Sequence, residues 1–135
     1  MHRLLYISTA RHPMTGHELD VLLKLSRRNN AAVAITGLLV VGGRRFLQAL
    51  EGPEAAVRAT YERIGRDPRH FAVVKLADGP IAERAFAGWS MGYQPGATLT
   101  GASAVADDVA ALVAPIADPV LRGYFTGFAE RRAAA

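Results

Sequence analysis

At 135 residues, half of them hydrophobic, the chain has enough apolar material for one domain with a core and too little length for two comfortable ones. Sixteen Lys and Arg against twelve Asp and Glu leave a net charge of +4, scattered in pairs such as Arg27-Arg28, Arg44-Arg45 and Arg131-Arg132 rather than drawn into a stripe interleaved with aromatics, which argues against a nucleic-acid partner. The lack of cysteine excludes disulfides, thiolate metal sites and thiol adducts, and no apolar run approaches the roughly 20 residues of a membrane span, so a cytoplasmic protein without membrane contact is expected.

Residues 3–9, "RLLYIST", put Leu4, Tyr6 and Ser8 on one side and Leu5 and Ile7 on the other, the alternation of a strand beside a core. "TGHELDVLLKLSRRNN" opens with Thr15 three residues before Glu18, a capping-box signature, and continues with Leu19, Leu22 and Leu23 on one helical face. That face reaches Ser26 and Asn30, so the inner side of the helix turns polar at its end. "ITGLLVV" and "RRFLQALEG" read as a hairpin around Gly42-Gly43, a dipeptide suited to a two-residue turn. Gly52-Pro53 marks the start of a second helix with a Val57, Tyr61, Ile64 stripe, running to about Asp67. "FAVVKLA" (71–77) is a fourth strand and "GWSMGYQ" (88–94) a fifth, after a loop containing Pro80.

The order βαββαββ favours an α+β sandwich of the ferredoxin-like type, with the two helices over one sheet face. From residue 101 an alanine-rich stretch reads as two helices broken near Pro115 and Pro119, placed on the face the first two leave bare. The expected division is a domain over residues 1–97 and a helical extension over 98–135. The apolar character of these last helices points to a homo-oligomer.

Parity places Phe46, Gln48 and Leu50 on one side of their strand, as it does Leu4, Tyr6 and Ser8 on theirs. Tyr6 and Gln48 can then meet. A buried amide has two donors and two acceptor lone pairs, and leaving one unpaired costs about 1–3 kcal/mol. Tyr6 can satisfy one, and Asn30 and Ser26 others, if the first helix ends over the same face. Such a polar island either closes on itself, as separately satisfied core residues, or holds a ligand rich in carbonyls and ring nitrogens. Spacing alone leaves both open.

Five segments in order, "LLYIS", "SRRNN" with "AITGLL", "FLQALEG", "RIGRDPRH" and "WSMG", resemble the BLUF family of blue-light sensors that use flavin, over about residues 2–94. The resemblance implies a ferredoxin-like fold with FAD held noncovalently between the two helices; FMN is not excluded by the residues themselves. By position, Tyr6 matches the family's electron-donating tyrosine and Gln48 the amide linking that hydroxyl to the flavin. Asn30 matches the asparagine at the ring's carbonyl and imide edge, with Asn29, Arg63, Asp67 and, less closely, His70 along the polar edge or ribityl side. Ile64 matches a residue packed on the ring, a role hardly separable from plain core packing. Trp89 and Met91 match a tryptophan and a methionine associated with signalling, against an equally simple reading as strand core. Ala34 departs from the glycine many relatives carry before "ITG", and Asn29 from the histidine of some.

The resemblance is to short members whose sensor and two helices act on a separate protein effector, so no enzyme activity is expected. An acylphosphatase of the same topology would need a glycine-rich phosphate loop, and "TARHPMTG" has Arg11 without one. A flavin oxidoreductase would need an approach for a second substrate, and no nicotinamide-type fingerprint is present. A cofactor-free regulatory or assembly module would use the same apolar stripes. His2, His12 and His17 lack metal-ligand spacing and are expected at the surface.

Overall fold

In the computed structural model, the described residues are 1–12, 15–42, 44–87, 92–95, 113, 114 and 116–134. In chain order they form β1 (His2–Ala10), α1 (Gly16–Ala32), β2 (Thr36–Gly42), β3 (Arg45–Gly52), α2 (Glu54–Gly65), β4 (His70–Pro80), β5 (Gly92–Pro95) and α3 (Pro119–Ala134). α1 starts where the capping box predicts: Glu18 N donates to Thr15 Oγ1 at 3.1 Å and Thr15 N donates to Glu18 Oε1 at 3.2 Å. Each bond satisfies a donor that the first helical turn would leave bare.

The strands lie in the order β4-β1-β3-β2-β5. The first four neighbours pair antiparallel, and β5 joins β2 in parallel. This is the ferredoxin-like sheet with one added edge strand. Alternation divides the side chains of the central strands between two cores. Leu4, Tyr6, Phe46 and Leu50 pack with Leu23 of α1 and Val57 of α2. Leu5, Leu47 and Ala49 face the other way, against Phe86, Leu121, Phe125 and Phe128. α3, the second of the two expected C-terminal helices, therefore covers the face that α1 and α2 leave bare, while the stretch expected to form the first lies largely outside the described residues. The rings of Phe86 and Phe125 meet edge to face at 5.9 Å.

Several boundaries and one side chain differ from the sequence reading. The register pairs Gly42 with Arg45, so Gly42 belongs to the strand rather than to the turn. Pro53 is the N-cap of α2, one residue ahead of the first turn in which the sequence reading put it. α2 ends at Gly65 instead of Asp67, because Pro68 disfavours a helical conformation at the residue before it. β4 is longer than 71–77: Ala10 pairs with His70 and His2 with Pro80, so β1 offers partners along its whole length. Pro80 is tolerated there because it closes an edge strand. β4 also carries two irregularities: Ile7 pairs with Val74 but Thr9 with Phe71, and Leu5 with Ala77 but Tyr6 with Lys75. An extra residue at each breaks strict alternation, and Ala72, at φ 52°, lies within the first. His2 is buried rather than at the surface, since it lies between β3 and β4 and its Nε2 meets the Asp78 carboxylate. His12 and His17 are exposed, as expected.

Candidate functional site

The register places Tyr6 directly opposite Gln48 in the centre of the sheet. Both are buried, at 4% and 6% exposure, and the Tyr6 hydroxyl donates to Gln48 Oε1. The amide in the middle of an apolar strand thus has a partner fixed by two backbones rather than by a flexible side chain. On the far side of Gln48 in the ladder stands Leu39 of β2, and on the far side of Tyr6 stands Lys75 of β4.

This pair lies at the floor of a cavity of about 220 Å³. α1 supplies Leu22, Leu25, Ser26, Asn29 and Asn30 to its walls, and α2 supplies Thr60, Arg63 and Ile64. Asp67, Arg69 and His70 enter from the connection into β4, and Phe46 and Leu50 join Gln48 on β3. The polar end of α1 follows from its periodicity: the face that begins with apolar residues closes with Ser26 and Asn30, and Asn30 is 2% exposed. The carbonyl of Asn30 also accepts from Val33 N and Ile35 N, which fixes the end of the helix over the sheet.

Burial, with Tyr61 and Asp67 adding to it, pushes the Tyr6 phenol well above its usual range. The hydroxyl therefore stays protonated, and removing an electron from this ring requires its proton to leave as well. Tyr61 of α2 lies with its ring centroid 5.6 Å from that of Tyr6, tilted by 58°. At the mouth, the Arg69 guanidinium holds the Asp67 carboxyl below the ordinary carboxylate range, through Nε contacts of 2.9 Å to both oxygens. His70 bridges the walls: its Nε2 lies 2.5 Å from the Ile64 carbonyl and its Nδ1 2.9 Å from Ser8 Oγ. A carbonyl can only accept, so Nε2 carries the proton, and in the neutral ring Nδ1 accepts from the Ser8 hydroxyl.

Of the residues singled out in the sequence, Tyr6, Ser26, Asn29, Asn30, Gln48, Arg63, Ile64, Asp67 and His70 all line this one cavity. Trp89 and Met91 lie outside the described residues. The sequence reading missed Leu25, Thr60 and Arg69. Thr60 was within reach of it, three residues before Arg63 on the same helical face. Arg69 joins the wall through its pairing with Asp67, which chain spacing alone does not signal. Among the described residues no cluster of three or more His, Cys, Asp or Glu could hold a metal, and no helix is long and apolar enough to cross a membrane.

An apolar slot with amides at one end and the Asp67–Arg69 ion pair at another suits a flat heteroaromatic ring carrying carbonyls and an imide. The walls thus fit a flavin, and fold and site together define the class of flavin-binding proteins on a ferredoxin-like scaffold. Residues 1–92 match the family described as BLUF, sensors of blue-light using FAD, and the chain belongs to that family. Among curated relatives it is 42% identical over 89 residues to photoactivated adenylate cyclase subunit beta of Euglena longa, an alignment covering 65% of this chain and 10% of that protein. The chain thus spans about a tenth of the length of that relative. It also resembles the solved structure of Klebsiella pneumoniae BlrP1 with FMN and cyclic diGMP, at 28% identity and a TM-score of 0.78, over 98% of this chain and 34% of that one. The dark state structure of BlrB, a BLUF protein, shares the fold at 24% identity and a TM-score of 0.74, over 99% of this chain and 96% of that one.

Proposed function

We propose that the chain is a cytoplasmic blue-light photoreceptor in which Tyr6 and Gln48 form the photochemical pair and the signal passes to a separate effector protein. The observation that carries this reading is the buried bond from the Tyr6 hydroxyl to Gln48 Oε1 at the floor of the cavity. The bound flavin, FAD by family, supplies blue absorption and, when excited, a strong oxidant. Asn30, Asn29 and Arg63 would hold its polar edge, Asp67 and His70 its flank, and Ile64 would pack against the ring.

Tyr6 yields its electron together with its proton, and the bond to Gln48 Oε1 gives that proton a route. When Tyr6 recovers both, the Gln48 amide is left rotated or tautomerised, and its donor and acceptor ends toward the cavity are exchanged. A reversible, slightly red-shifted state results without a covalent adduct, in keeping with a chain that has no cysteine. In this reading residues 1–97 form the flavin-binding unit and 98–135 the helical output, with the signal leaving the first through Trp89, Met91 and β5. The chain acts by contact rather than by catalysis, as a homo-oligomer.

The decisive measurement is a light-minus-dark absorption spectrum. The parent chain is expected to purify yellow and to show a red shift that reverses in the dark. Gln48→Ala is expected to remain yellow and lose the shift. A colourless parent, or a normal shift in Gln48→Ala, sinks the reading.

A further inference from the structure

Glu51 is fully buried on the α3 face of β3, three residues from Gln48 on the cavity face. Its carboxylate accepts from Ala85 N and Phe86 N, each at 2.9 Å, and from Arg3 Nε at 2.8 Å. A charge at this depth stays only if such donors surround it. They tie the segment after β4 to the sheet and hold Phe86 against Phe125 of α3. Arg3 continues outward: its Nη1 lies 3.5 Å from Asp118 Oδ2, and Asp118 Oδ1 accepts from Val120 N and Leu121 N at the start of α3.

The neighbouring guanidinium ties the same segment to the cavity. Arg84 Nη2 donates to Ala34 O at 2.7 Å, and Nη1 to Thr36 Oγ1 at 2.8 Å and, more weakly, to Glu51 O at 3.3 Å. Ala34 belongs to the turn that follows α1, four residues after Asn30, and it sits at φ 60°, a left-handed conformation costly for a residue with a Cβ. A conformation of that kind persists only where its surroundings over-determine it. The Asn30 carbonyl holds the turn from one side and Arg84 from the other. β3 crowds it as well: a Cβ on Gly52 would come within 2.8 Å of Ala34 O.

We propose that Arg84 and Glu51 form a latch that makes the position of α3 depend on the state of the cavity on the opposite face of the sheet. Arg84 is the positioning residue. Its guanidinium spans the turn that follows the Asn30 end of α1 and the end of the strand that carries Gln48. A change in how those two amides are held shifts the acceptors that converge on Arg84, and the Glu51 carboxylate passes the shift to Phe86 and α3. This inference rests on the photoreceptor reading and adds to it a route through residues 84–86.

The test is amide hydrogen exchange across residues 120–128 of the flavin-loaded chain, in darkness and under continuous blue light, alongside the absorption spectrum. In the parent, light is expected to change exchange at α3 by about fivefold or more, the lower end of ordinary coupling between sites. In Arg84→Met, which keeps the apolar stem and loses the fork, the spectral shift is expected to remain while the light-induced change at α3 falls to less than half. Thr36→Val, which removes a single acceptor, is expected to fall between the two and serves if Arg84→Met does not fold. Arg84→Met or Thr36→Val with the parent's full response at α3 overturns the latch, as does a parent that shifts its spectrum without any response at α3. A parent with no spectral shift overturns the photoreceptor reading itself, and the latch with it; the spectrum tells this failure from the others.

Discussion

Beneath α1 and α2 the sheet carries Tyr6, Ser8 and Gln48 among leucines, around a cavity; beneath α3 the same strands carry Leu5, Leu47 and Ala49, packed with one another and with aromatic rings. One face spends apolar area on polar groups, each of which needs a partner in low dielectric. The other is filled by aromatic rings from α3 and Phe86. Both sets come from consecutive residues of β1 and β3, so the division is a matter of parity alone. Stability and recognition can therefore be changed separately on the two faces, except where Glu51 and Arg84 join them.

The strongest way to break the comparison on the packed side is Phe125→Ala. Deleting a fully buried ring should cost about 3–5 kcal/mol, seen as a fall in denaturation midpoint, while the folded fraction keeps the flavin spectrum of the parent. If that spectrum moves as well, the faces are not separable. A smaller effect of opposite sign is expected at the junction. Ala34→Gly relieves the left-handed strain and should gain roughly 1 kcal/mol, less the entropy that glycine adds to the unfolded chain, by thermal denaturation. A loss of stability there would mean that the turn is held by the alanine methyl rather than by Arg84.

The smallest effect concerns acid stability on the cavity side. The Lys75 ammonium, then His2 and Arg58, hold the Asp78 carboxyl below its usual range. A carboxyl depressed in the folded state contributes stability above its unfolded value, near pH 4, and loses it as pH falls further. Asp78→Asn should therefore flatten the decline in stability below about pH 4 and leave the spectrum untouched. An unchanged acid limb would show that the partly exposed cluster contributes nothing, as many surface ion pairs do.

Much of the site was legible because its residues announce themselves against their surroundings. Gln48 is an amide within "FLQAL", and Ser26 and Asn30 continue an apolar helical stripe. Glu51 and Arg84 gave no such signal. A glutamate before Gly52-Pro53 and an arginine in a loop look like ordinary surface charges until the fold brings backbone donors and acceptors to them. His2 is a similar case: the second residue of the chain is buried because β1 is central in the sheet, which local pattern cannot tell.

Alternation, helical periodicity and capping chemistry were enough to define the elements of this protein, the two-faced character of its strands and the pairing of a phenol with an amide, because each depends on neighbours a few residues apart. Strand order, the two extra residues of β4 and the burial of Glu51 were decided only by tertiary structure. Those depend on which distant segment supplies the missing hydrogen-bond partner, and chain-local physics carries no information about that.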